Sequence, residues 1–183
     1  MQSVTISTVN KVGVVPIMVG IRHRDEPLVL MQFRMDRKVG HPVPEIGAKG
    51  RALDGEDARI TAANHLRRET GISISLMHTD PKHNYIHRNV YAVHGKEGNV
   101  TIVKADYFAQ VVSSRNRGNG HNGSHCALEW MRFGDAEDAL VDNGYLRSLE
   151  ILDKARKFWQ SWNARQSVRS AARKMIDGFV NGL

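Results

Sequence analysis

The sequence is poor in cysteine, in uninterrupted apolar stretches and in acid. Its one cysteine, Cys126, excludes an intrachain disulfide and any multi-cysteine zinc site, which points to a reducing, cytoplasmic location. The longest apolar run, residues 12–21, is interrupted by Gly13, Pro16 and Gly20. It is shorter than the ~20 residues of a membrane-crossing helix, so no membrane partner is expected. Residues 1–10 are polar and lack a basic start, unlike a secretory signal. No repeat and no low-complexity linker divides the 183 residues, which read as one domain, 1–163, with an amphipathic basic helix, 164–183, as its extension. Against 19 Asp and Glu stand 26 Lys and Arg, and the resulting net charge of +7 suits anionic partners, phosphates or nucleic acid.

What is present reads as alternating strands and helices. Residues 12–21 and 28–33 are short apolar, β-branched runs parted by a charged turn, and are expected to be strands. Residues 38–55, rich in glycine and carrying Pro42 and Pro44, read as loop. From 56 to 70, Ile60, Ala63 and Leu66 recur at helical spacing, and Gly71 supplies the stop. Strands are expected at 72–77, 85–94 and 99–112, the last two joined in a hairpin, and again at 128–133. Between them, 113–125 is Gly-, Asn- and Ser-rich and holds Arg115, Arg117, His121 and His125 without an acid, so it reads as a mobile loop with a positive field. After a helical turn at 139–141, two helices are expected. The first, 144–162, carries Tyr145, Leu149, Leu152, Arg156 and Trp159 near one face. The second, 164–182, sets Val168, Ala172, Met175 and Phe179 against Arg165, Arg169 and Arg173.

One spacing stands out: Gly50, five residues, Glu56, nine residues, Leu66, two residues, Glu69, one residue, Gly71, Ile72. It resembles the Nudix box of the MutT-like hydrolase superfamily, which reads Gly, five of any residue, Glu, seven of any, Arg-Glu, an aliphatic, one of any, Glu-Glu, one of any, Gly, an aliphatic. The strand ending in Arg34 and the late strand with Trp130 resemble the family's flanks, so the likeness covers about residues 12–160. It implies a Nudix-type α/β/α sandwich around a mixed β-sheet, here with an extra C-terminal helix suited to forming a homodimer. The departures change the expected chemistry. Asn64 and His65 stand where the family has Arg-Glu, and Arg68 and Glu69 where it has Glu-Glu, so one of three helical carboxylates remains. From Gly50 to Ile72, Arg51, Arg59, Arg67 and Arg68 balance Asp54, Glu56, Asp57 and Glu69, whereas a hard divalent cation needs oxygen ligands in a negative field.

Helical spacing puts His65, Arg68 and Glu69 on one face. In one reading His65 and Glu69, with Glu56, ligate manganese or zinc. In another the Arg68 guanidinium takes the place of the lost ion and meets Glu69 or a ligand phosphate. In a third these groups are solvated helix surface. The resemblance also puts Arg34 and Lys49 near the phosphates, with Glu45 in the same loop. His121, His125 and Cys126 fit no common zinc spacing. The expected function is therefore that of a pseudoenzyme binding a nucleotide, a nucleoside diphosphate derivative or RNA, with weak or no hydrolysis and no required cofactor. Certain relatives that lost their box carboxylates, such as the small subunit of a pre-mRNA cleavage factor, bind RNA. Arg115, Arg117, Arg169 and Arg173 are the nucleic-acid candidates. An alternative is an active diphosphate hydrolase, using magnesium or manganese on Glu56 and Glu69 and a base outside the box, Glu129 or Asp106. A further alternative is a structural or interaction domain.

Overall fold

The computed structural model describes residues 5–19, 26–36, 39–74, 84–95, 99–118 and 126–180. Its centre is strand β1 (Ile6–Met18), which is paired along its whole length with β6 (Val100–Val112) in parallel register, from Ile6 opposite Val100 to Met18 opposite Val112. The other edge of β1 is shared. Near its middle, residues 11–14 take β4 (Ala48–Arg51), and at its end Ile17 and Met18 take β2 (Leu28–Met35), both antiparallel. Strand β2 is flanked in turn by β3 (Pro42–Ile46) and β7 (Cys126–Arg132), while β5 (Tyr85–His94) closes the far side against β6. A strand buried on both faces needs apolar residues at successive positions, which is why β1 is continuously buried from Val12 onward.

Alternation along the strands divides the core in two. Val12, Val14, Leu30 and Phe108 face helix α1 (Ala58–Thr70), where Ala62 and Leu66 meet them. Val15, Ile17, Val29, Met31 and Tyr107 face the opposite way, onto α2 (Phe133–Asp142) and α3 (Leu146–Val180) through Leu140, Ile151 and Leu152. The expected α/β/α sandwich with a mixed sheet is thus present. Among the described residues no helix is long and apolar enough to cross a membrane.

Several local expectations are corrected. Residues 38–55 are not all loop, because β3 and β4 bury Val43, Ile46 and Ala48. Pro42 and Pro44 are tolerated because β3 is an edge strand, and Gly47 turns the chain between the two strands with a φ of 61°. The first strand begins at Ile6 rather than at residue 12, since its polar start pairs with β6. Residues 72–74 are not strand, and the rest of the strand expected at 72–77 lies outside the described residues. The helical turn at 139–141 belongs to α2, which starts at Phe133. The two C-terminal helices are one, α3, because no glycine or proline interrupts residues 146–177. Its apolar residues Val168 and Met175 are 70% and 72% exposed instead of packed on the domain.

Candidate functional site

Helix α1 starts where the Asp57 side chain accepts a hydrogen bond from the Arg59 backbone N–H (2.8 Å), and it ends at Gly71, left-handed at φ 75°. Its fixed ends set the phase of the face toward β4, where His65 lies against Gly50. A Cβ added to Gly50 would come within 2.0 Å of the His65 ring, so only glycine leaves room for it. The ring is bound at both nitrogens: Nε2 is 2.9 Å from the Arg51 carbonyl oxygen and Nδ1 is 2.6 Å from Arg68 Nη2. A carbonyl accepts only from N–H and a guanidinium only donates, so Nε2 carries the proton and Nδ1 accepts. Histidine thus fixes the arginine one helical turn away.

The surviving carboxylates are also engaged. Glu69 accepts from Nε2 of buried Gln32 (3.2 Å), which also donates to the Gly47 carbonyl oxygen (2.7 Å). Gln32 was not anticipated; a lone polar residue in an otherwise apolar strand was its signal. Glu56 accepts from the Thr61 hydroxyl and from Asn64 Nδ2. This donor set does not fit a divalent cation, because His65 would have to give up a partner and a guanidinium stands among the would-be ligands. Among the described residues no three His, Cys, Asp or Glu side chains are grouped to hold a metal. His121 and His125 lie outside the described residues. Of the two outside bases, Asp106 is bidentate to Arg88 (2.7 and 2.8 Å), and Glu129 pairs with Met31, on the sheet face turned away from Glu69.

On that other face a second polar cluster surrounds Lys49. Lys49 and Tyr107 are the register partners of Gly13 on either side of β1, and a Cβ on Gly13 would come within 3.0 Å of both side chains. Glycine there lets lysine and tyrosine meet across the strand. Lys49 also pairs with Glu45 (3.6 Å), with its side chain 30% exposed. Burial alone would lower the Lys49 pKa, but Tyr107, Glu45 and Tyr91 outweigh it against the opposing charge of Arg34, so the pKa lies above the ordinary lysine value. Burial likewise raises the Tyr107 hydroxyl, with Lys49 opposing. Lys49 is therefore a cation, and Tyr107 a neutral hydroxyl, throughout the neutral range. Arg147 of α3 lies 4.8 Å over the Tyr91 ring, adding a second cation at the rim. Arg34 opposes the Lys49 charge, but alternation along β2 after Leu30 and Gln32 puts it on the α1 face, whereas Lys49 lies on the α3 face.

The remaining basic candidates lie elsewhere. Arg115 and Arg117 line a cleft beside the end of β6. The loop that bears them is tied down where it is described: Asn116 donates to the Ser73 carbonyl oxygen (2.7 Å), Trp130 Nε1 donates to that of Arg117 (3.1 Å), and Gly118 lies against Thr70. Arg169 and Arg173 are exposed on the shaft of α3.

No family model matches the chain, and no curated protein is similar to it. Solved structures are. A Caenorhabditis elegans Ap4A hydrolase binary complex aligns at 18% identity with a TM-score of 0.56, over 84% of this chain and 98% of that one. A MutT protein from Methanosarcina mazei aligns at 13% and 0.54, over 87% and 98%. A bifunctional NMN adenylyltransferase/ADP-ribose pyrophosphatase from Francisella tularensis, complexed with AMP and a manganese ion, aligns at 15% and 0.51, over 85% of this chain and 42% of that one. The fold is the Nudix fold.

Proposed function

We propose that this protein binds a nucleoside diphosphate derivative through fixed arginine and lysine cations, without a required metal and with little or no hydrolysis. The observation that carries the reading is the Arg51 carbonyl–His65–Arg68 relay, which holds a permanent cation on the helix face where the Nudix box has carboxylates. A guanidinium offers a phosphate two parallel donors without first losing a hydration shell, and so supplies part of what a metal supplies. The Lys49 cluster supports the same reading with a second cation. Solved structures of the same fold are named as hydrolases of Ap4A and ADP-ribose, which favours a diphosphate-containing ligand.

Turnover separates this reading from that of an active hydrolase. With Ap4A, ADP-ribose and other nucleoside diphosphate derivatives in magnesium or manganese, rates are expected to stay at least ~10²-fold below the ~10 s⁻¹ of an ordinary enzyme. Glu69→Gln is expected to leave this residual rate unchanged. Turnover of about 10 s⁻¹ that Glu69→Gln abolishes would establish the hydrolase instead.

A further inference from the structure

Two clefts outside the Lys49 and Arg68 sites share the residue Val19. One, of about 850 Å³, is lined by Val19, Ser113, Ser114, Arg115 and Arg117. The other, of about 1160 Å³, runs between the end of the sheet and the shaft of α3, where Val19 faces Trp159, Trp162, Gln166, Ser170 and Lys174. The α3 residues fall three or four apart, so one helix face forms the wall. The first has the size of a small-ligand pocket, ~300–1,000 Å³, the second is larger, and meeting at Val19 they exceed what one small ligand fills. That shape suits a chain.

We propose that this joined groove binds single-stranded RNA. Arg115 and Arg117 supply cations at one end and Lys174 at the other. Arg117 is oriented by donating from Nε to the Ser114 carbonyl oxygen (3.1 Å). The one acid on the lining, Glu26, faces Arg132 at 3.8 Å, which offsets its charge. Between the cationic ends, Trp159 packs against the core, and Trp162 stacks on it with centroids 5.2 Å apart and planes 25° from parallel. A half-exposed indole backed by a second ring is a platform on which an unpaired base stacks. Beside apolar Ala171 and Pro27 the lining carries hydroxyl and amide side chains, Ser167, Ser170, Asn163 and Gln166, which can both donate to and accept from a ribose 2′-hydroxyl. Cations spaced along a groove, an aromatic platform and 2′-hydroxyl partners together favour RNA over its deoxy counterpart. Arg169 and Arg173 do not line either cleft, so the groove assigns the main contacts to Arg115, Arg117, Trp162 and Lys174.

The test is fluorescence anisotropy of the full chain with a labelled oligouridylate of about 10 nucleotides and with oligodeoxyuridylate of the same length, across about 50–200 mM salt. RNA is expected to bind more tightly than DNA, with an affinity that falls steeply with salt. Arg115→Ala with Arg117→Ala is expected to lower the salt slope by about 0.7 for each arginine. Trp162→Ala is expected to lose roughly 5- to 150-fold at an unchanged slope, and Trp162→Phe to retain binding. Circular dichroism melts establish that the variants are folded; if Trp162→Ala is not, the arginine slopes and Trp162→Phe decide. Native affinity in both the arginine and Trp162→Ala variants, equal binding of DNA, or indifference to salt would overturn the proposal.

Discussion

Gly50 shows how one missing side chain organises the proposed anion site. The His65 ring occupies the volume a Cβ would need, and from there it accepts from Arg68 while donating to the Arg51 carbonyl oxygen. Gly50→Ala must push the ring away and break both bonds, so it is expected to cost about 1–3 kcal/mol in thermal or urea unfolding. In a His65→Ala background the same substitution has nothing to displace. The double-mutant cycle is therefore expected to show strong coupling, and additivity within about 0.5 kcal/mol would refute the contact. Gly50, His65 and Arg68 were all legible in the sequence as members of one spaced motif. Their contact was not, because it needs β4 to fold back over α1, and no local pattern announces that. Lys49 was legible as a phosphate candidate through the resemblance, but its contact with Tyr107 was not, because their meeting depends on Gly13 lying between them in register.

Among elements, those with strong local signals were the ones read correctly. Helix α1 has its periodic Ile60 and Leu66 and its Gly71 stop, and β5 and β6 have alternating, β-branched residues with a turn between them. Strands β3 and β4 escaped because Pro42, Pro44 and Gly47 carry loop chemistry, which an edge position and a tight turn absorb. The single helix α3 was divided because its apolar stripe loses the sheet near Asn163. Periodicity reports packing partners, whereas continuity needs only the absence of a breaker. The cap of α1 gives a pH prediction. Hydrogen bonds from the Arg59 side chain and backbone hold the Asp57 pKa down at about 2, below the ordinary 3.8. A depressed carboxyl contributes stability that is complete above 3.8 and is lost as pH falls through 3.8 toward 2. The melting temperature is expected to drop across that window, and Asp57→Ala, costing ~0.5–2 kcal/mol at neutral pH, to flatten the drop. An equal acid drop in the variant would remove Asp57 from the account.

For the molecule as a whole, the sheet separates two polar regions that share one strand. Strand β4 presents Gly50 to His65 beneath α1 and sends Lys49 to Tyr107 and Glu45 on the α3 side. A diphosphate that passes the edge of β4 would meet Arg68 on one side and Lys49 on the other, and its charge would be met by side chains that need no ion. The Nudix fold is thus kept, with Arg68 held by His65 on the helix where the family's box has a carboxylate. The direct measurement is calorimetric titration of the full chain with ADP in excess chelator. The account predicts that binding persists without divalent metal and weakens roughly 10- to 100-fold in Arg68→Glu, as for the loss of a hydrogen bond to a charged group. Binding that disappears with chelator, or that Arg68→Glu leaves untouched, would contradict it.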